Sequence, residues 1–446
     1  MEPKKYLRYM NQIEHVPSNT LNRRRFALWL SATTPLVAAG LCAPKARAAG
    51  LKSLFKGPAK DTPQTAIYKW DVDFCKYGID IDPRAAARVS TLSSDNILWD
   101  ADGLEVARFY SGMGASWGAG SRPMGGPNPD GAKLPQRLLF TYYDYLEDRF
   151  YQLKTELPIQ KLFELFSHTG LARDNYKARS KYQSLRIGVA PQGNIMMWAT
   201  GYTDNQVELG TFRAEVLEGM TPKSYNAGGM RAFPLREDRW QELTGGRAKP
   251  ETIERIKAGW VPDPSYYMRR IRVKYPWRFK LTGAVSRVTD ILSFESSAES
   301  TAYGAWEMGL YQTLNVMRAP PPVAFFWFHD LSGKRHYLWL EFWKRERAVS
   351  EADMTEVFAA FEQVLGKRTL EDNLFAPNDE DMATVEVHVG EDFQMITASL
   401  VKGEVRVPLP VGRTQHFELE PYAYWSGNPT PSADVIKLFQ EGPPKP

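Results

Sequence analysis

The sequence predicts a strand-rich α+β protein, made of two related units in which a mostly antiparallel sheet packs against one or two helices. Three observations support this fold class. Short aromatic and β-branched runs alternate with polar turns along most of the chain, a pattern typical of strands. One hairpin-like stretch has a similar copy further along the chain. The regular strand–helix alternation of a doubly wound sheet is missing.

The N-terminus has the pattern of a cleaved export signal. Arg23, Arg24 and Phe26 open an apolar stretch that runs to position 42, and Ala46 and Ala48 form an A-x-A cleavage pattern. The paired arginines resemble a twin-arginine signal, so we expect passage through the export machinery, cleavage before position 49 and a periplasmic location. The alternative is an uncleaved anchor, although the apolar stretch is short for a membrane span and contains a proline.

The first 48 residues also account for the basic character of the chain. They carry eight basic and two acidic residues, so their removal changes the formal net charge from +4 to −2. No basic run in the remaining chain supports nucleic-acid binding. Of the two cysteines only Cys75 remains, which excludes an intrachain disulfide and a structural zinc set. No later segment is apolar for long enough to span a membrane.

The segment 49–133 contains a short match to a catalytic motif. Residues 114–118, GASWG, fit the G-x-S-x-G pattern of a serine-hydrolase nucleophile elbow around Ser116. An elbow needs a helix directly after the serine, whereas four glycines and three prolines follow between positions 119 and 133. Glycine and proline both disfavour a helix. We therefore predict a surface loop here, and no enzymatic activity.

Two predicted β-hairpins, at 135–153 and 321–340, carry the internal repeat. Each combines an Asp, an Arg and a Tyr at the same spacing, 186 positions apart: Asp144, Arg149 and Tyr151, then Asp330, Arg335 and Tyr337. Aromatic runs flank a short polar turn in each copy. The Asp and Arg side chains would form a stabilising pair across each turn. A chance likeness of two hairpins is the alternative to a true repeat.

A helical pattern follows each hairpin, and further strands follow each helix. The second helix begins with Ser350 and Asp353, which resemble a capping box. Its apolar stripe consists of Val357, Phe358, Phe361 and Val364. We divide the chain into the signal (1–48), an N-terminal segment (49–133), a first unit (134–317) and a second unit (318–446).

Histidine is scarce, and only His329 and His336 lie close together in the sequence. They flank the second hairpin turn, where cross-strand side chains can converge on a metal. The first hairpin, however, has Tyr143 and Phe150 at the same positions, which favours a packing role. With only two weak candidate ligands, we predict no metal site and no bound cofactor.

Four stretches carry a wider resemblance: LPQRLLFTYYDYLEDRFYQLKTELP, LRIGVAPQGNIMMWATG, QVELG and YPWRFKLTG. They contain a G-x-A-P-x-G turn and a Pro-Trp-Arg strand, at Gly188, Ala190, Pro191, Gly193, Pro276, Trp277 and Arg278. Over residues 134–283 the chain thereby resembles the bacterial family called domain of unknown function 2931. The second unit looks like a more diverged relative.

The resemblance implies a function, because some members of this family are similar to immunity proteins encoded beside type VI secretion phospholipase effectors. We expect a periplasmic protein that binds and neutralises such an effector. Many members look like envelope lipoproteins, whereas here Leu41 replaces the small residue that precedes a lipidated cysteine. Trp117, Arg122 and Met124 are candidate partner contacts in the 112–131 loop. The alternative is a periplasmic enzyme or ligand-binding protein with an unrecognised site.

Overall fold

Strands dominate the structure, as the sequence predicts. The computed structural model describes residues 62–77, 91–111, 117–118, 124–167, 169–171, 178–180, 182–201, 205–226, 250–261, 263–304, 308–342 and 351–419. Within these ranges, no helix combines the length and apolar character that crossing a membrane requires. The strand-rich α+β fold class is confirmed.

The first part of the described chain, here called the first repeat, forms two large sheets, two two-stranded sheets and one helix. Its elements are β1 (Ile67–Tyr68), β2 (Asp71–Lys76), β3 (Thr91–Trp99), β4 (Glu105–Ser111), β5 (Met124–Pro127), β6 (Ala132–Lys133), β7 (Arg137–Asp144), β8 (Arg149–Glu156), α1 (Ile159–Ser167), β9 (Thr169–Leu171), β10 (Ala178–Ser180), β11 (Ser184–Ala190), β12 (Asn194–Thr200), β13 (Gln206–Arg213) and β14 (Glu215–Val216). One large sheet begins with the order β2-β11-β12-β13, in which β2 runs parallel to β11. The other has the order β14-β8-β7-β3-β4-β5 and is antiparallel. The two-stranded sheets are β1-β6 and β9-β10.

Short helices follow the first repeat: α2 (Pro222–Asn226), α3 (Pro250–Lys257), α4 (Pro264–Met268) and a 3₁₀ turn (Arg270–Arg272). The second repeat comprises β15 (Tyr275–Gly283), β16 (Arg287–Phe294), β17 (Ser300–Tyr303), α5 (Met308–Thr313), β18 (Met317–Arg318), β19 (Val323–His329), β20 (Arg335–Glu341), α6 (Glu351–Leu365), a 3₁₀ turn (Glu371–Leu374), β21 (Ala383–Val389), β22 (Ile396–Lys402), β23 (Val405–Leu409) and β24 (Thr414–Leu419). Its sheets contain the orders β15-β21-β22-β23 and β24-β20-β19-β16-β17. The strand β15 is parallel to β21.

The two repeats have the same strand order. In sequence, β2, β3, β4, β7, β8, α1 and β11 to β14 correspond to β15, β16, β17, β19, β20, α6 and β21 to β24. The parallel pair β2 and β11 has its counterpart in β15 and β21. Both predicted hairpins, β7-β8 and β19-β20, are present with their turns at 145–148 and 331–334. The hairpin likeness therefore extends to the whole of each repeat.

The strand pairing divides the chain at other points than the sequence suggested. The segment 49–133 contributes β2 and β3, which pair with β11 and β7 of the first repeat. Residues 275–303, placed by prediction in the first unit, form β15 and β16, which pair with β21 and β19 of the second repeat. The repeats thus span about 71–216 and 275–419. The hairpin marks the middle of each repeat, which is why hairpins alone did not locate the boundaries.

Each repeat buries one core between its two large sheets and its helix. In the second repeat, Met354, Val357, Phe358 and Phe361 of α6 are buried in one cluster with residues of both sheets, as the predicted apolar stripe requires. Val364 packs beside them while remaining half-buried. Ser350 of the predicted capping box lies outside the described residues.

Candidate functional site

The loop proposed for partner contacts is described only in part. Ser116 and Arg122 lie outside the described residues, and Met124 is described as the first residue of β5, without its side chain. The half-buried Trp117 packs edge-on against Trp198 and Tyr267, with ring centroids 5.2 and 5.0 Å apart. This part of the loop therefore lies on the first repeat and α4. A partner contact through Trp117, Arg122 and Met124 stays a prediction.

The glycines of the G-x-A-P-x-G motif have a structural explanation in the β11-β12 hairpin. The ring of Trp198 lies over Gly188, so a Cβ at this position would overlap the indole. Gly193 has a φ of +76° in the turn, and a Cβ there would meet the Ala214 carbonyl and the Tyr151 ring. Only glycine combines this backbone conformation with such close approach.

The Pro-Trp-Arg motif opens β15 and fixes it to β18. Trp277 is fully buried, and its indole N–H donates to the Arg318 carbonyl at 3.0 Å. In return the Arg318 guanidinium donates to the Trp277 carbonyl, also at 3.0 Å. This reciprocal pair satisfies the polar groups of two buried residues. The Arg278 side chain points elsewhere, toward the groove described below.

Of the two predicted histidines, His336 belongs to a hydrogen-bonded chain with Asp330 and His416. The buried His336 places Nε2 3.2 Å from Asp330 Oδ2 and Nδ1 2.9 Å from Nε2 of His416. The Phe393 ring stacks on both imidazoles. Both ring nitrogens of His336 are thus engaged, and the described ranges hold no group of three or more residues suited to a metal.

Burial acts on the outer histidines of this region in the same direction. It lowers the pKa of His416, and the neighbouring His336 adds to the effect. Burial followed by the charges of Arg287 and Arg335 lowers the pKa of His329. Sequence reasoning missed His416, because its strand β24 pairs with β20 only in the folded sheet.

The two repeated aspartates occupy equivalent turns but differ in environment. Asp144 is buried and accepts hydrogen bonds from the Tyr77 hydroxyl at 2.8 Å and from the Leu146 and Glu147 N–H groups at 2.9 and 3.2 Å. Burial, reinforced by Glu147, raises the pKa of this carboxyl to about 7. Burial also raises the pKa of the Asp330 carboxyl, but hydrogen bonds from the turn and from His336 lower it more, and the result is a pKa of about 2.

This geometry changes the predicted role of the Asp–Arg pairs. Asp144 and Arg149 do lie opposite each other as the last pair of the hairpin ladder. The described bonds to the Asp144 carboxylate nevertheless come from Tyr77 and the turn backbone, while Arg149 is exposed. The aspartate therefore fixes the turn itself, as Asx turns do.

A cluster of buried and partly buried charges, here called the junction cluster, joins the repeats where β13 meets β17. Arg272 donates to both carboxylate oxygens of Glu208, at 2.5 and 3.1 Å. Lys274 forms an ion pair with Glu299. Burial and then Glu299 raise the pKa of Glu295 to about 7, while its carboxylate accepts the Ala319 N–H at 3.0 Å. These charged groups bind one another, so the junction cluster has a structural role between the two repeats.

The backbone ladder at this junction is short, and side chains extend it. Gln206 and Ser300 are the residues paired between β13 and β17. On one side of them the Asn205 side-chain carbonyl accepts the Ala302 N–H at 3.1 Å. On the other side the Glu299 carboxylate accepts the Glu208 N–H at 3.2 Å. The pairing makes one sheet of nine strands, in the order β2-β11-β12-β13-β17-β16-β19-β20-β24.

A groove of about 560 Å³ opens in the second repeat between β15 and β16, with α5 at its end. The described lining residues are Arg278, Phe279, Lys280, Leu281, Val285, Ser286, Arg287, Val288, Ile291, Met308, Tyr311, Gln312 and Thr384. Most of the floor is apolar, and the charged groups among these residues are cationic. The groove has the volume and mixed chemistry of a small-molecule site. No sequence motif indicates this groove, because its walls come from two different sheets.

The fold and the groove together define a class: a strand-rich α+β protein with an internal duplication and a ligand-sized groove. Residues 56–236 match the model of the family described as "Protein of unknown function (DUF2931)". The matched range contains the whole first repeat and its G-x-A-P-x-G turn. The resemblance is thus confirmed, but residues 276–278 lie outside the match. No curated protein and no solved structure matches the chain.

Proposed function

We propose that this chain is an immunity protein that acts in the periplasm by binding and neutralising a type VI secretion phospholipase effector. The match of residues 56–236 to the DUF2931 family supports this proposal most directly, since some members resemble such immunity proteins. Neutralisation by binding requires complementarity to one enzyme and no chemistry by the inhibitor.

The architecture supports a role in binding. Each repeat has a large buried core, and the junction cluster links the two repeats through contacts such as the Glu208 N–H bond to the Glu299 carboxylate. A surface that is already ordered loses little conformational entropy when it meets its partner. The carboxyl groups with the most raised pKa, on Asp144 and Glu295, are buried and hydrogen-bonded within the protein.

The test is inhibition of the phospholipase encoded next to the gene. The purified chain is titrated into an assay of that enzyme, with an unrelated phospholipase as the control. We expect stoichiometric loss of activity of the neighbouring enzyme alone, and co-elution of the two proteins on gel filtration. Full activity at molar excess, without co-elution, would reject the immunity proposal.

Location is tested separately through the signal. The variant Arg23→Lys with Arg24→Lys removes the paired arginines that twin-arginine export reads. We expect this variant to stay in the cytoplasm and to leave cells sensitive to the effector, while the purified protein still inhibits. Normal periplasmic delivery of the variant would contradict the twin-arginine route. It would not affect the conclusion drawn from the inhibition assay.

The second candidate function is ligand binding, and the groove between β15 and β16 favours it. Its volume of about 560 Å³ falls within the range of small-molecule sites. The groove lies outside the residues that match the family, so a ligand-binding role would belong to the second repeat. Equilibrium binding of a defined ligand series, described next, tests it.

A further inference from the structure

The groove exists because β15 and β16, which follow each other in the second repeat, belong to different sheets and diverge. The strand β15 pairs with β21 along 277–283, whereas on its other edge β18 pairs only with Tyr275 and Pro276. Beyond that point the Phe279 N–H donates to the Tyr311 hydroxyl of α5 at 2.6 Å. The chain turns at 284–286 and returns as β16 in the other sheet. A wedge-shaped space, closed at one end by α5, therefore remains between β15 and β16.

The rim of this wedge is cationic. Lys280 and Arg287 are exposed, and neither forms an ion pair with any residue in the described part of the chain. Arg278 donates to the Gln312 carbonyl at the end of α5 and lies 3.7 Å from the exposed carboxylate of Asp379. Among the described lining residues none is acidic. Lys280 and Arg287 can thus both bind an anion at the mouth of the groove.

The interior of the wedge offers apolar surface that the protein core does not fully cover. Leu281, Val285 and Val288 pack against the core but remain half-buried. Deeper in the groove, Ile291 and Met308 are buried. Uncovered aliphatic surface of this kind is favourably removed from water by a hydrocarbon chain.

We propose that this groove binds a single-chain amphiphile with an anionic headgroup, either a fatty-acid carboxylate or a lysophospholipid phosphate. This inference rests on the second proposed function and does not depend on the immunity proposal. An inorganic anion would satisfy the rim but leave the aliphatic floor in water. A neutral hydrocarbon would cover the floor but add nothing to the two cations. An anionic amphiphile satisfies both, with its headgroup near Lys280 and Arg287 and its chain along Val285 and Val288.

Binding is measured with the purified full chain by titration calorimetry below the micelle concentration of each probe. The probes are laurate, lauryl phosphate, lauryl alcohol and inorganic phosphate. We expect one laurate or one lauryl phosphate per chain, weaker binding at high salt, and affinity for lauryl alcohol lower by about tenfold. The stronger of the two anionic probes identifies the headgroup. Inorganic phosphate alone should not bind.

The groove is tested with the variant Lys280→Glu, Arg287→Glu. The matched control is Lys154→Glu, Lys367→Glu, which changes the net charge equally at two exposed sites outside the lining. We expect the groove variant to lose at least about tenfold in affinity for the anionic probes, and the control to bind like the parent chain.

Two results would overturn the proposal. One is the absence of saturable binding of both anionic probes to the parent chain. The other is equal affinity of parent and groove variant, with thermal unfolding confirming that the variant is folded. The phospholipase assay on the same groove variant keeps the two proposals apart, because retained inhibition with lost amphiphile binding confirms the groove as a separate site.

Discussion

Replacing Asp144 with Asn should change stability in a direction that depends on pH. Burial and then Glu147 raise the pKa of this carboxyl from 3.8 to about 7. Since the unfolded chain ionises at the lower value, the folded state is penalised increasingly as pH rises from 3.8 to 7, and fully above that. At about 1.4 kcal/mol per pKa unit, the full penalty is about 4–5 kcal/mol. The neutral amide removes it.

The substitution also has a cost at the hydrogen bonds. The Asn carbonyl can still accept from the turn N–H groups of Leu146 and Glu147, but the Tyr77 hydroxyl must become an acceptor. We assign about 2 kcal/mol to that change. The variant should therefore be more stable than the parent by about 2 kcal/mol at pH 8, and no more stable at pH 5.

Urea denaturation at both pH values measures this difference, and the second repeat supplies the control. Although burial opposes it, hydrogen bonds from Ser332, His336 and the Lys334 N–H hold the pKa of Asp330 at about 2. Its charge therefore contributes stability above 3.8 that is lost only as pH falls through about 2. Asp330→Asn should destabilise the protein at pH 5 and pH 8 alike. Equal destabilisation of Asp144→Asn at both pH values would refute the reasoning.

Three further substitutions test other parts of the structure. Gly188→Ala places a Cβ against a buried indole and should lower the stability measured by thermal unfolding by about 3 kcal/mol. The control Gly309→Ala in α5 meets no atom within 4 Å and should leave the stability unchanged. Comparable losses of stability in the two variants would contradict the packing argument. Trp277→Phe removes the donor to the Arg318 carbonyl and should cost about 1–2 kcal/mol in urea denaturation; a cost below a few tenths would show that another donor replaces it. Burial and the adjacent imidazole lower the pKa of His416, so the folded state loses stability as pH falls below the unfolded value of 6.5. His416→Gln should flatten the decline between pH 7 and pH 5, and an unchanged slope would assign it to other groups.

The sequence predicts those parts of the fold that depend on neighbouring residues. The hairpins β7-β8 and β19-β20 were predicted because aromatic runs flank a polar turn. Helix α6 was predicted because Val357, Phe358 and Phe361 repeat at helical spacing. These patterns involve neighbouring residues only, so the predictions made from them do not depend on how the rest of the chain folds.

Long-range pairing was beyond the sequence patterns. The parallel pair β2 and β11 joins residues more than a hundred positions apart, and no turn chemistry signals it. The same applies to the Tyr77–Asp144 bond and to the contact between His336 and His416. The groove was not predicted for a related reason. Arg278 and Lys280 alternate with buried residues along β15, which is the ordinary pattern of a strand with one exposed face.

The short ladder between β13 and β17 has a consequence for how the protein responds to force and to mutation. The nine-stranded sheet is continuous, yet at its middle the described backbone pairing is that of Gln206 and Ser300. Tension applied across the sheet would concentrate at this line, because the neighbouring links are side chains, from Asn205 and Glu299. A change such as Asn205→Ala should therefore weaken the junction between the repeats. The link between the two copies depends on side-chain bonds and on the ion pairs of the junction cluster more than on backbone pairing.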